Sequence, residues 1–468
     1  MNNNSKALKS GVWYTASNFF LKAVGFITIP IFTRLLSKEE FGMFNNYTSW
    51  ISIALVLITL RLDASLMSAK YDFEDDFDSY ILSMVSLNVL VVCTWSIVIN
   101  VFSSLFVKFT HLELIYLNAM MLYLLSSAVV DLFQARERYL YKYKVSVLLS
   151  VCIAMMTAVL SLFLVLNMDN RLTGRILGTV IPVLLAGIVI VLFLAKKGKK
   201  INLRYWLYAL PICLPYVPHL LAGSLLNSVD RVMIERICGS EDTAIYSLAY
   251  NCGAIVTLLI SSLNSAFSPW LGEMLHYKNY VTIRKFSKEY ISVFVALTVV
   301  FMIIAPEILY VLGGEPYMEA KYVITPVALG CVCQFLYTMY VNVEQFLKKT
   351  VGMAVATVVA AALNYGLNVT LIPLYGYLVA AYTTLIGFLA LLFIHIYLVK
   401  RMGFKEVYDT KFVLLVLLVG IIIMFGVTML YSFTFERYII LTIYLLFISV
   451  IGYRKRVIVG KIFKQNIK

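Results

Sequence analysis

The chain has 468 residues, 61% of them hydrophobic and 14% charged, against about 45 to 50% and about 25% in soluble globular domains. Those proportions exclude a water-soluble fold. Its 39 Lys and Arg exceed its 25 Asp and Glu, for a formal charge of +14. In a soluble protein that excess would point to nucleic acid, but here its meaning depends on where the charges fall.

A helix needs about 20 apolar residues to cross about 30 Å of hydrocarbon. Fourteen such stretches occur in chain order, near 12–33, 43–60, 80–101, 114–134, 145–166, 173–195 and 208–230, then 243–264, 291–312, 323–343, 351–372, 377–399, 412–431 and 437–453. The spacing predicts an all-α integral membrane protein. The N-terminal stretch lacks the short apolar run and small-residue cleavage site of a removed signal, so the first span reads as retained.

With the N-terminus inside, 29 Lys and Arg lie in inner segments, nine in outer segments, and Lys22 within a span. The positive-inside rule therefore places both termini in the cytosol. Inner segments then carry a net +16, outer segments −3 and Lys22 the remaining +1. The positive excess is mostly a record of orientation rather than a nucleic-acid signal. The basic loop at 196–204 and the tail after 453 are expected to touch anionic membrane lipids.

No loop is long enough for a catalytic domain, which takes on the order of 50 residues. The seven cysteines show no disulfide or zinc spacing, the four histidines make no metal motif, and Walker and GxGxxG loops are absent. A non-enzymatic transporter without cofactor or metal is expected, its coupling ion being a proton or sodium.

Self-comparison finds one offset twice. Glu39, Glu40 and Phe44 correspond to Glu241, Asp242 and Tyr246 at a shift of 202, and Gly174-x-x-x-Gly178 corresponds to Gly376-x-x-x-Ala380 at the same shift. Two six-span lobes in parallel repeat follow, with expected boundaries at 1–204 and 205–402 and two added spans in 403–468.

Three runs carry a resemblance: IPIFTRLLSKEEFGMF (29–44), DRVMIERICGSEDTAIYSLAY (230–250) and NVTLIPLYGYLVAAYTTLIG (368–387). The chain resembles the bacterial polysaccharide transporter family, the Wzx-type flippases of O-antigen and capsule repeat units. Its superfamily includes multidrug and toxin extrusion antiporters and the lipid II flippase. The chain departs from the usual pattern at Ala244, where Gly is common, and at Lys38, where Pro is frequent. The resemblance implies two six-helix lobes around a central cavity that opens alternately to each side of the bacterial inner membrane. It implies as substrate a lipid-linked oligosaccharide on a polyprenyl diphosphate, with a polysaccharide polymerase and a chain-length regulator as partners.

Such a head group needs cations and hydrogen-bonding groups at membrane depth. Lys22 lies about 15 Å from either end of the first span, beyond the reach of a snorkelling side chain. An intramembrane charge costs about 2.5 to 3.5 kcal/mol to insert and is functional by default. Thr15, Asn18, Lys22, Gly25 and Thr28 recur at helical steps and form one polar stripe. By resemblance, a cation holds the corresponding place in the lipid II flippase, in a setting like Lys22 to Phe26.

On the seventh span His219, Gly223, Asn227 and Asp230 form a second stripe beside Arg231, above a bend expected from Pro211, Pro215 and Pro218. Asp230 is expected either to pair with Arg231 or to carry a coupling proton. Asn364 and Asn368, one turn apart on the eleventh span, suit either sugar hydroxyls in the other lobe or interhelical hydrogen bonds. Arg61 stands beside Asp63 at the inner end of the second span, where the pair is expected either to meet the incoming diphosphate at a cytosolic entrance or to mark the membrane interface. The acidic group Asp72, Glu74, Asp75, Asp76 and Asp78 reads as a solvated loop face.

Two other functions compete: an ion-coupled drug antiporter, which would favour central carboxylates for cationic substrates, and a membrane polymerase, which would need a large outer loop. A deep lysine without a central carboxylate favours an anionic substrate.

Overall fold

A computed structural model describes residues 3–198 and 200–465 as an all-helical protein. In order its helices are α1 (Asn3–Leu35), α2 (Lys38–Thr59), α3 (Leu66–Asp72), α4 (Phe77–Val101), α5 (Ser103–Thr110), α6 (Leu114–Tyr139), α7 (Tyr143–Asn167), α8 (Arg171–Lys197) and α9 (Leu203–Cys213). There follow α10 (Tyr216–Ile237), α11 (Ser240–His276), α12 (Tyr280–Ile303), α13 (Ala305–Gly313), α14 (Lys321–Phe346), α15 (Thr350–Tyr375), α16 (Leu378–Arg401), α17 (Thr410–Leu430) and α18 (Thr434–Gln465). Lys199 and the side chains of Lys6, Lys9, Thr15 and the basic residues after 453 lie outside the described residues.

Among the described residues, twelve helices are long and apolar enough to span a membrane, and α9 with α10 makes a further span bent by 56°. The break at Leu214 and Pro215 falls inside the proline cluster, where missing N–H donors interrupt the ladder. Helix α18 covers the fourteenth expected stretch.

Helix starts repeat along the chain. The pairs α2/α11, α4/α12 and α5/α13 begin 202, 203 and 202 residues apart, and α6/α14, α7/α15 and α8/α16 begin 207 apart. The change of offset lies where a 3-10 turn, Glu315–Ala320, is inserted before α14. The two places found by self-comparison thus belong to a whole series of matched helices.

By contact the chain groups into two compact units, residues 1–247 with 357–380 and residues 248–356 with 381–468. This grouping is a different partition from the expected repeat: residues 205–247 pack within the first unit although the expected boundary lies at 204.

Within the first unit the run SKEEFG explains the α1–α2 corner. The Ser37 hydroxyl accepts from the Glu40 N–H (3.1 Å) and the Glu40 carboxylate accepts from the Ser37 N–H (2.8 Å), a reciprocal cap that satisfies two donors of α2. Lys38 occupies the first helical position, where proline is also well tolerated. Gly42 then lets α2 meet the backbone at the start of α11, since a Cβ there would lie 1.8 Å from the Ser240 carbonyl oxygen. Gly178 does the same for α8 against α7, its Cβ position being 2.3 Å from the Ser161 Cα.

The acidic loop is more than a solvated face. Asp78 takes a bond from Arg136 (2.6 Å), Asp72 from the Tyr208 hydroxyl (2.5 Å), Asp76 from the Tyr205 hydroxyl (3.4 Å), and Glu74 pairs with Lys70 (3.5 Å). These bonds tie the α3–α4 segment to α6 and α9, around stacked Phe73, Tyr80, Tyr205 and Tyr208.

In the second unit α17 and α18 are docked rather than peripheral. Thr428 bonds Thr325 (2.7 Å), the Tyr431 hydroxyl donates to the Met302 carbonyl (2.6 Å), and Arg437 holds Glu307 through two bonds (2.5 and 2.7 Å). Lys288 pairs with Asp409 (2.6 Å), and this bond holds the Asp409 carboxyl below its ordinary range. Near the ends of α14 and α16, Glu344 and His395 form a buried pair at 2.7 Å.

Gly42→Val is expected to destabilise the first unit by about 1 to 3 kcal/mol through overpacking against α11. Gly25→Ala, whose Cβ would meet no heavy atom within 4 Å, should unfold at the wild-type temperature or above it. Thermal unfolding of the detergent-solubilised protein separates the two.

Candidate functional site

All seven sequence-predicted site residues fall in the first unit, including Asn364 and Asn368, which sequence reading assigned to the other lobe. They form three groups there.

The first is on α1. Asn18, Lys22 and Gly25 are exposed at successive turns, and Thr28 donates to the Gly25 carbonyl (2.8 Å). Space around Gly25 is open to at least 4 Å. The helix thus presents a lysine and an amide over a glycine gap, on a face with no side chain packed across it at Gly25.

The second group surrounds the end of α2. Leu60 and Arg61 both adopt left-handed backbone (φ 49° and 50°), turning the chain sharply into the 3-10 turn Leu62–Ser65. For residues with a Cβ this is a strained pair of positions. The turn aims the Arg61 guanidinium at Asp63 (2.9 Å), with part of its side chain still exposed and its Nε without a partner. Asp131 on α6 lies within electrostatic reach of Asp63, Arg61 and Arg138. Sequence reading passed over Asp131, since a single carboxylate near a span end looks like interface. Arg61 thus belongs to a mixed cluster of two arginines and two aspartates rather than standing as an isolated cation.

The third group is buried. Asp230 on α10 is 1% exposed; it accepts from the Tyr246 hydroxyl (2.7 Å) and from Asn368 Nδ2 (2.6 Å), which also reaches Asn364 Oδ1 at 3.3 Å. Asn364 and Asn368 are wholly buried. Three helices, α10, α11 and α15, therefore meet on one carboxylate surrounded by amide and hydroxyl groups. Of the two readings of the asparagines, the interhelical one describes this geometry. Tyr246 was noted only as part of a repeat motif; its hydroxyl has no local sequence cue, because its partner sits one helix away.

Beside this network, Arg231 donates to the Asn227 carbonyl (3.1 Å) and Asn227 to the Gly223 carbonyl (2.7 Å), so the polar stripe on α10 runs partly along its own backbone. His219 is half-buried with Nδ1 unpartnered, and the space at Gly223 is open. Pro215 and Pro218 bring this open stretch directly above the bend.

Arg175, inside the sixth expected span, is a further residue that sequence reading did not single out. It lies one turn inside α8 with its guanidinium over the rings of Phe32 (3.8 Å) and Phe44 (4.5 Å), while Arg171 donates to the Leu35 carbonyl (2.7 Å). These cation–π contacts clamp α8 onto the α1–α2 corner, which positions the helix that carries Lys22.

Comparisons with known proteins agree with this architecture. A family model described as "Polysaccharide biosynthesis protein" matches residues 7–275, and the MatE model matches 215–370. An Lsg locus protein of Haemophilus influenzae is 21% identical over 353 residues, covering 72% of this chain and 84% of the relative. A membrane protein of Methanocaldococcus jannaschii is 22% identical over 460 residues, covering 90% and 89%. Among solved structures, a lipid II flippase in an inward closed conformation superposes with a TM-score of 0.70 at 15% identity, covering 95% of this chain and all of that one. An inward-facing multidrug transporter of the MATE family gives 0.61 at 15% identity, covering 83% and 94%. The fold is thus shared with these two solved structures, and the match over more than half of its length places the chain in the polysaccharide biosynthesis protein family.

Proposed function

We propose that this protein is a flippase that moves polyprenyl-diphosphate-linked oligosaccharide repeat units across the bacterial cytoplasmic membrane by alternating access, for O-antigen or capsule synthesis. Both termini face the cytosol in this reading, which follows from the 29 inner cations. A polysaccharide polymerase and a chain-length regulator act on the product at the outer face.

The observation that carries the proposal is Lys22. Its side chain is exposed midway along a membrane helix, with Asn18 one turn away and a glycine gap beside it. Facing lipid, that lysine would cost about 2.5 to 3.5 kcal/mol with no compensating partner. Facing water, it offers a compact cation at the depth an anionic diphosphate must pass. The head group enters past Arg61, whose bond to Asp63 competes with the incoming phosphate, and meets Lys22 at mid-depth while the polyprenyl tail stays in the bilayer. Asn18 supplies a hydrogen-bonding group of the kind sugar hydroxyls require. The protein makes and breaks no covalent bond in this cycle.

Asp230 is the proposed coupling site. A buried carboxylate held by Tyr246 and Asn368 can exchange its charge against a proton or sodium, and that exchange would alter how α10, α11 and α15 meet. Arg231 sits at the same level and would feel the change. The MatE match over 215–370 supports a second reading, an ion-coupled drug antiporter, which shares this coupling step and differs in its cargo.

Lys22→Ala is expected to lower export of surface polysaccharide at least tenfold, equivalent to about 1.4 kcal/mol or more, with Lys22→Arg retaining part of it. Full export by the alanine variant, or wild-type-level efflux of a cationic dye that Lys22→Ala leaves unchanged, would favour the antiporter. In proteoliposomes, Asp230→Asn should remove the dependence of transport on an imposed proton or sodium gradient while the protein stays folded, because the amide still accepts from Tyr246. A gradient dependence equal to wild type places coupling elsewhere.

A further inference from the structure

Helices α6 and α14 end in the same way. Glu137 and Glu344 each stand two residues before the last helical residue; Tyr141 and Lys348 follow in left-handed backbone (φ 56° and 57°). The Lys142 and Lys349 N–H groups bond back to the Glu137 and Glu344 carbonyls (2.8 and 3.0 Å). The two carboxylates are repeat equivalents at the 207-residue offset, and both are buried.

Their partners differ. Glu137 is bonded by the guanidinium of Arg136, which also holds Asp78 at 2.6 Å; arginine keeps its proton throughout the accessible pH range. Glu344 is bonded instead by His395 Nδ1 at 2.7 Å, with 0% and 2% of the two side chains exposed, and its second oxygen, Oε2, is buried without a partner. Imidazole is the side chain that changes charge between about pH 5 and pH 8. The same carboxylate is thus served by a permanent cation in one unit and by a titratable one in the other.

We propose that Glu344 and His395 form a proton-binding site whose occupancy controls the packing of the C-terminal ends of α14 and α16. With one exchangeable proton the pair is neutral overall, as imidazolium with carboxylate or as imidazole with carboxylic acid, and it can stay dry. Losing that proton leaves neutral imidazole beside a carboxylate, a buried net charge of −1 with an unpartnered oxygen. Burying such a charge is strongly unfavourable. Deprotonation therefore favours a state in which water reaches the pair and the two helix ends separate. The packed arrangement is the proton-bound form, so its stability is present at low pH and lost as pH rises.

The surroundings leave the pair to itself. Tyr337 stacks on the imidazole (5.7 Å, 18°), and Tyr340 and Tyr408 lie together beside α14, Tyr408 donating to the Met339 carbonyl. Lys348 and Lys349 follow α14, Lys400 and Arg401 end α16, and Lys411 begins α17. Toward α12, Lys288 is paired with Asp409 and Arg284 with Glu406. Helix α15 carries no ionisable group other than Tyr365 and Tyr375.

Amide hydrogen exchange of the full chain in lipid nanodiscs, corrected for the intrinsic pH dependence of exchange, tests this. Above about pH 6.5, where a water-exposed imidazole loses its proton, and up to about pH 9, the opening constant of segments 338–349 and 392–401 is expected to rise by up to about tenfold per pH unit, the slope of one proton, with little change between about pH 5 and that point. Segment 131–142, with Arg136 in place, should stay flat over the same range. Glu344→Gln, which keeps the hydrogen bond and removes the titrating carboxylate, should abolish the rise, and the double variant Glu344→Gln/His395→Gln should do the same. A flat wild-type profile overturns the proposal, as does a rise of equal slope in either variant. Because the readout needs no substrate, it is independent of what the protein carries.

Discussion

Inside hydrocarbon no water is available to satisfy a backbone or side-chain polar group, and this constraint organises the molecule. It allows only helices across the bilayer in a chain without strand pattern. It also favours partners from other helices for ionised side chains buried within the bundle. Asp230 is held by Tyr246 and Asn368, Arg136 by Asp78 and Glu137, Glu344 by His395, and Arg437 by Glu307. These bonds do what apolar burial cannot do between helices, since lipid tails are as apolar as leucine. Close backbone approach at Gly42 and Gly178 supplies the rest.

Duplication doubles this scheme and then frees one copy to change. The paired helix starts and the shared ends of α6 and α14 show two copies of one plan. Where the plan is only structural, the copies agree in detail, down to the left-handed residue after each helix. Where charge is involved they diverge: arginine against glutamate in the first unit, histidine against glutamate in the second. Divergence confined to the partner, with the carboxylate retained, gives a chain one insensitive and one pH-sensitive copy of the same joint.

The spans, the proline bend before α10 and the repeat were legible in the sequence because each rests on local periodicity or on residues close together. The polar partners were not. Asp230 and Asn368 are 138 residues apart, and Arg437 and Glu307 are 130 apart, so no spacing rule joins them. Arg175 had no local cue either, because the Phe32 and Phe44 rings beneath its guanidinium lie on helices far earlier in the chain. The acidic loop looked solvated because its tyrosine partners lie on α9, some 130 residues later. What composition did mark was Lys22, a cation exposed on a membrane helix.

That this cation is a lysine fits the task of a carrier. An arginine binds a diphosphate through two parallel bonds in a fixed fork, which favours tight, oriented capture. A lysine is a compact point charge on a flexible stem, with no bidentate geometry to satisfy. In the proposed cycle, a site that takes up an anion at one face and releases it at the other would gain from attraction that does not depend on orientation. The stronger fork sits elsewhere, at Arg61, where it is already engaged by Asp63. In the proposed cycle an incoming phosphate there would exchange one bond for another rather than gain a new one, so that entry would be guided without being made irreversible.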